Sequence, residues 1–332
     1  MLRFLNLWNK RGYQLLTGAA AKEAQDAFDL YIDSQLLKKP VAFQDIFHRI
    51  QANDKTLTDV TLASLTLDDS DIVALSYALR SNDHVTALDL SGNRLGKRST
   101  HSLAILPNLR SLNISSNPSI DDEALQPFQG NRSIRELNAS YCGIGDAGVN
   151  SLVQTQISRL RLAGNRVGNA GVAVLAADLT LVALDISAND FDDTAVTPFK
   201  AHPNMEELVL EHGQLSDATA EIFIGMSKLH FLNLRANNYT SKGAKTLARS
   251  KTLEAVDLSS NDVGKGAEAF VDNTVLIYLN LETNKIEPRT AEAFERNATL
   301  QKLLLDGNNL NKDLIARINA HRSSSPTAPK AQ

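Results

Sequence analysis

The stretch from Leu253 to Val263 reads Leu-Glu-Ala-Val-Asp-Leu-Ser-Ser-Asn-Asp-Val. Apolar residues stand at its first, fourth, sixth and eleventh positions, and an asparagine at its ninth. The pattern starts at Leu62, Val85, Leu109, Ile134, Ile157, Leu181, Met205, Leu229, Leu253, Leu276 and Leu300, at intervals of 23 to 25 residues. The ninth position is Asn93, Asn117, Asn165, Asn189, Asn237, Asn261, Asn284 and Asn308, with Ser70, Cys142 and Gly213 in the other three. Eleven copies of a short unit cannot each bury an apolar face alone. They must stack, each coil covering its neighbours.

The fourth and sixth positions alternate as one face of a strand does. The asparagine follows at a turn, where its amide can satisfy backbone groups of adjacent coils. A second segment recurs later in the period. It reads Gly171-Val172-Ala173-Val174-Leu175, Gly243-Ala244-Lys245-Thr246-Leu247 and Gly266-Ala267-Glu268-Ala269-Phe270, with Gly148-Val149, Thr219-Ala220 and Thr290-Ala291 at the same offset. Its spacing is helical, and its small residues let the helix pack close to the strand. Each coil is therefore expected to be one strand and one helix.

Leu-x-x-Leu-x-Leu-x-x-Asn-x-Leu resembles the leucine-rich repeat, and the Gly-Ala-x-x-Leu segment resembles the 24-residue GALA type, which is similar to ribonuclease-inhibitor repeats. The resemblance covers residues 57–320. It implies an α/β fold: a leucine-rich repeat solenoid, a curved horseshoe with a parallel β-sheet on the concave face and helices on the convex face. GALA-type repeats are familiar from effectors that bacterial pathogens deliver into host cells. The resemblance thus implies a non-enzymatic protein-interaction module, a secreted effector that captures or masks a protein on its concave face.

Residues 1–56 lack the repeat. Leu2, Leu5, Trp8, Leu15 and Leu16 suggest a short helix, Ala19 to Leu37 a stronger one, and Phe43, Ile46, Phe47 and Ile50 share one face of a third. The segment is expected to be a helical N-terminal cap over the first coil. Pro40 with Ile46-Phe47 also resembles an F-box. That resemblance implies an alternative, the substrate-recognition adaptor of a ubiquitin ligase. A further alternative is a GTPase-activating regulator, an activity of some ribonuclease-inhibitor-type repeat proteins, with Arg94 or Arg166 as the finger. Residues 321–332, with three serines, two prolines and nothing large to bury, are expected to be a disordered tail.

The formal net charge of −4 argues against a general nucleic-acid or anionic-membrane surface. A single cysteine excludes an intramolecular disulfide and favours a reducing compartment. No apolar run is long enough for a membrane span. The apolar start is broken by Asn6, Asn9, Lys10, Arg11 and Gln14, so no cleaved signal peptide is expected. The location read from this is cytosolic, or the host cytosol for an effector. Histidines 48, 84, 101, 202, 212, 230 and 321 show no metal-ligand spacing, and no nucleophile elbow or phosphate-binding loop is present. Cys142 reads as a structural substitute in the asparagine row. Neither cofactor nor metal is expected, and the chain is expected to be a monomer by itself.

Third, fifth and seventh positions point off the free strand face. Most hold Asp, Asn, Ser or Ala. The departures are Glu136 and Tyr141, Arg159 and Arg161, Asp185, then Glu207, Val209, Glu211 and His212, then Phe231 and Arg235, and finally Tyr278, Glu282 and Lys302. Equal positions in neighbouring coils lie side by side, which aligns Glu136 with Arg159, Arg161 with Asp185, and Glu211 with Arg235. Exposed pairs contribute only about 0–1 kcal/mol each. Phe231 and Tyr278, read as exposed aromatics, point instead to a protein partner, host or bacterial. Gly213 is expected to mark a weak point or a bend.

Overall fold

The computed structural model describes residues 19–320 and Arg322. The expected helix at Leu2–Leu16 and all of the expected tail but Arg322 lie outside the described residues. The chain forms two compact units, Met1–Ile157 and Ser158–Gln332.

The first unit begins with α1 (Ala19–Ser34), a 3-10 turn (Leu36–Lys38) and α2 (Val41–Gln51). Then follow β1 (Asp59–Thr61), α3 (Asp69–Leu79), β2 (Ala87–Asp89), α4 (Lys97–Leu103), β3 (Ser111–Asn113), α5 (Asp122–Leu125), β4 (Glu136–Asn138) and α6 (Asp146–Asn150). Phe43, Phe47 and Ile50 of α2 are buried, as are Phe28 and Tyr31 of α1. Phe28 lies against Phe47 and against Tyr77 of α3. The Tyr31 hydroxyl donates to Asp71 at 2.8 Å, and Lys39 reaches the same carboxylate at 2.7 Å. Burial and the Asp71 charge push the Tyr31 hydroxyl up from its ordinary pKa.

The second unit holds β5 (Arg159–Arg161), α7 (Asn169–Ala176), β6 (Ala183–Asp185), β7 (Glu207–Val209), α8 (Ala220–Ile224), β8 (Phe231–Asn233), α9 (Ser241–Leu247), β9 (Ala255–Asp257), β10 (Tyr278–Asn280), α10 (Pro288–Glu292), β11 (Lys302–Leu304) and α11 (Lys312–Asn319). Coils six and nine carry 3-10 turns in place of an α-helix, Thr197–Ala201 and Gly264–Asp272. In each unit the strands form an open parallel sheet in chain order.

The first coil sits in a different register from the expected one. β1 pairs Asp59 with Ala87, which makes Leu57 the first position and Leu65 the ninth. Leu62 is a sixth-position residue, and Ser70 lies in α3 rather than in the asparagine row. Leu57-x-x-Val60-x-Leu62 and Leu62-x-x-Leu65-x-Leu67 fit the pattern equally well. Pairing decides, because Asn93 Oδ1 accepts from the N–H groups of both Leu65 and Leu67.

The asparagine row works as expected. Asn117 Nδ2 donates to Leu90 O at 3.2 Å and Ile114 O at 2.9 Å, while its Oδ1 accepts from Leu95 N at 2.9 Å. Cys142 puts its thiol in the same place, 3.6 Å from Ile114 O and Ser140 O. Burial pushes that thiol up from its ordinary pKa, away from the reactive thiolate. A second row, missed in the sequence, lies three residues before the first position. Asn82, Asn131, Asn273 and Asn297 accept from Val85 N, Ile134 N, Leu276 N and Leu300 N. His202 takes this place in coil seven, accepting from Met205 N at 3.0 Å.

The recurrent glycines serve a narrower purpose than strand packing. Asp122 Oδ1 accepts from Gly145 N and Gly148 N of the next coil, and a Cβ on Gly148 would stand 2.6 Å from that oxygen. Gly243 lies in the same way against Asp217, whose carboxylate accepts from Thr240 N at 2.8 Å. Gly213 leaves no empty space in the row. Phe191 fills the place of the missing amide, and a Cβ on Gly213 would lie 2.7 Å from its ring.

Every coil turns at its eighth position in the left-handed region. The residues there are Ser64, Gly92, Ser116, Tyr141, Gly164, Ala188, His212, Ala236, Ser260, Thr283 and Gly307, with φ between 51° and 70°. The turn aims the eighth N–H at the seventh carbonyl of the next coil, as in Ser116 N to Ser140 O at 2.8 Å and His212 N to Arg235 O at 3.1 Å. This extends the strand ladder beyond the strands.

Candidate partner-binding face

The third positions of the second unit stand in register as Arg159, Ala183, Glu207, Phe231, Ala255, Tyr278 and Lys302. A small residue twice separates two large ones. Arg159 Nη1 crosses over Ala183 to Glu207 Oε1 at 3.2 Å, and the two side chains are 30% and 14% exposed. Adjacent strands lie about 4.8 Å apart, so an arginine spans two of them. Phe231 and Tyr278 flank Ala255 and form one buried cluster with it and Val209, against which Leu304 packs.

This corrects the reading of Phe231 and Tyr278 as exposed aromatics. They are 8% and 6% exposed. Their rings cover Ala255 and give the strand face a small core of its own. Lys302 Nζ lies 5.8 Å from the centre of the Tyr278 ring, within reach of a cation–π attraction. Burial, then the charges of Asp257 and Glu282, push the Tyr278 hydroxyl up to about 12.

The fifth and seventh positions are tied together. Asp185 Oδ1 accepts from the N–H of Ser187 at 3.0 Å and from its hydroxyl at 2.7 Å. Asp257 does the same for Ser259, and Asn280 accepts from Glu282 N at 3.0 Å. Asp185 is thus part of a repeated device that closes the strand end. It also faces Arg161 in register on β5. Both line a cavity of about 10 Å³ with Arg159, Glu207 and Val209, close to the room one water needs. Glu207 Oε2 is buried and has no hydrogen-bond partner among the described residues.

Glu211 and Arg235 form no ion pair among the described residues. Glu211 Oε1 accepts instead from Asn233 Nδ2 at 2.6 Å, and Arg235 is exposed. His212 is exposed beside them. In the first unit, Glu136 is exposed and accepts from the Ser111 hydroxyl at 3.2 Å. Tyr141 is 63% exposed at φ 54°. A larger cavity of about 630 Å³ lies at the turns after β9 to β11, lined by Thr283, Lys285, Glu287, Pro288 and Asn308 among others. No sequence candidate falls there. Three of its lining residues, Ser260, Thr283 and Lys285, are non-glycine residues in the left-handed region. Among the described residues no group of three His, Cys, Asp or Glu is placed to hold a metal ion, and no helix is long and apolar enough to cross a membrane.

Two leucine-rich repeat family models match the chain, one over residues 203–263 and the other over 81–98, 106–128 and 130–153. The chain carries leucine-rich repeats. Two solved structures agree on this fold. The mouse RP105/MD-1 complex matches with a TM-score of 0.54 and 20% identity, over 83% of this chain and 46% of that one. A TLR13–ssRNA13 complex matches at 0.52 and 18%, over 82% and 42%. An internalin from Listeria monocytogenes matches at 0.46 and 16%, over 79% and 93%. The repeat chain therefore spans less than half the length of the first of these. No curated protein sequence matches it.

Proposed function

We propose that this leucine-rich repeat chain is a non-enzymatic module that holds a protein partner against the strand face of its second unit. The observation that carries the proposal is the face itself. Phe231, Ala255 and Tyr278 pack into a preformed surface, and Arg159 is fixed over Ala183 by Glu207. A surface ordered before binding loses little conformational entropy on docking. Beside it stand Glu211, His212 and Arg235, where most other coils place Ser, Ala or Gly. Among proteins of this fold, RP105 is seen with the protein MD-1 and TLR13 with RNA. The net charge of −4 favours a protein over RNA here.

The GALA-type segments support a bacterial effector, delivered to the host cytosol without a cleaved signal peptide, that captures or masks its partner. The test is affinity capture from host and bacterial extracts with wild type, Arg161→Glu, Glu211→Lys and Arg235→Glu. The partner is lost or weakened in at least one variant. Equal capture by all three would sink the strand-face assignment.

A further inference from the structure

Neighbouring coils of the second unit are tied at their turns as well as at their strands. The tenth-position N–H donates to the eleventh-position carbonyl of the coil before. Asp190 thus reaches Val167 at 3.0 Å, Asn238 reaches Leu215 at 2.8 Å and Asp262 reaches Tyr239 at 2.8 Å. Coil seven lacks the tie, and there the Phe191 ring packs against the turn at Gly213. Coils ten and eleven lack it too. Val263 O accepts instead from Gly266 N at 3.0 Å and from the Ser241 hydroxyl at 2.8 Å. Lys285, at the tenth position of coil ten, is left-handed with φ 57°. Among the described residues Lys285 N, Ile286 O and Asn309 N have no hydrogen-bond partner. All three residues line the cavity of about 630 Å³, and no aromatic side chain stands among its described lining residues.

We propose that this cavity takes an extended peptide segment of a partner protein, whose main chain pairs with Ile286 O and Asn309 N and which carries a basic side chain. Its volume falls within the about 300–1,000 Å³ of pockets that enclose a ligand. The Ile286 side chain is fully buried, so this residue offers the cavity its backbone. A carbonyl and an N–H left open on adjacent coils are what an added strand bonds to, restoring the missing tie. Pro288 is exposed on the wall and gives an apolar contact. The charge preference comes from the two ionised residues of the lining. Lys285 Nζ is held by Asp262 at 2.9 Å, whereas the exposed Glu287 makes no ion pair among the described residues. None of Arg159, Glu207, Glu211 and Arg235 lines this cavity, so it is a second contact beside the strand face.

The experiment pans the purified full chain against a displayed library of random linear peptides. Enriched peptides are synthesised and their affinities measured by fluorescence polarisation. Asn309→Trp fills the cavity and is expected to weaken them about tenfold or more, and Glu287→Lys several-fold, while Arg235→Glu leaves them unchanged. Asn309 and Glu287 are exposed, so circular dichroism and melting of both variants match the wild type. Binding is also expected to slow hydrogen exchange of the Asn309 amide about tenfold or more. A library that yields no binding peptide overturns the proposal. So do peptides that bind Asn309→Trp as well as the wild type, or that are lost on Arg235→Glu. An Asn309 amide that exchanges equally fast in the complex overturns the main-chain pairing, and full affinity for Glu287→Lys overturns the basic side chain.

Discussion

Arg159 and Glu207 pair across an intervening strand, with Ala183 beneath them. The pair is partly buried, so its attraction is less screened than that of a surface pair. A double-mutant cycle between Arg159→Ala and Glu207→Ala is expected to give a coupling of about 1 kcal/mol in chemical denaturation. Ala183→Leu places a branched side chain where the arginine crosses and is expected to destabilise by about 1–3 kcal/mol. A coupling near zero would place the two side chains apart in solution.

Phe231→Ala separates a structural from a purely surface aromatic. An exposed phenylalanine is replaced within about 0.5 kcal/mol. One packed over Ala255 with Val209 and Tyr278 is expected to cost about 3 kcal/mol, read as a lowered denaturant midpoint. Loss of partner capture by this variant alone therefore says little about contact.

Tyr141 occupies a left-handed turn that other coils give mostly to Gly, Ser or Ala. An L-residue there costs roughly 1–2 kcal/mol, offset in part by the entropy glycine loses on folding. Tyr141→Gly is expected to be neutral or stabilising by up to about 1 kcal/mol. The denaturant midpoints of wild type and variant check this, and a variant destabilised by more than about 1 kcal/mol would show that the Tyr141 side chain contributes to the fold.

Alkaline pH gives a further check. The folded Tyr278 hydroxyl titrates near 12 because of burial and the charges of Asp257 and Glu282, against about 10 in the unfolded chain. Below pH 10 both states hold the proton, and this group adds no pH dependence. Between 10 and 12 the unfolded state releases it first, so stability falls as pH rises. Tyr31 and Tyr239 act in the same direction through burial. Tyr278→Phe is expected to make the decline from pH 10 to 12 shallower than in the wild type. Equal slopes in the two would place the ring in solvent.

The period, the asparagine row and the helices at Ala19–Leu37 and Phe43–Ile50 were legible in the sequence, because each follows from spacing along one chain. The first coil was misplaced because its leucines satisfy two registers and its ninth position, Leu65, lacks the asparagine that would choose between them. Lateral order was only half legible. Register gives the neighbours of Arg159, but the length of an arginine decides that it passes Ala183 and reaches Glu207. Burial of Phe231 and Tyr278 depends on how little room Ala255 takes between them. The aspartate-to-serine link of Asp185 recurs at Asp257 and joins the fifth and seventh positions of one coil, a pairing that strand spacing alone does not show. The left-handed eighth position was hidden because eight coils achieve it without glycine.

Site-specific photo-crosslinking tests the central claim most directly. A crosslinking residue is placed at position 235, beside the strand face, and in a second variant at position 249, where Arg249 is exposed after α9 and pairs with Glu221. The strand-face account expects the partner to be trapped from position 235 and not from position 249. Trapping from position 249 alone would contradict it and move the interface to the helical side.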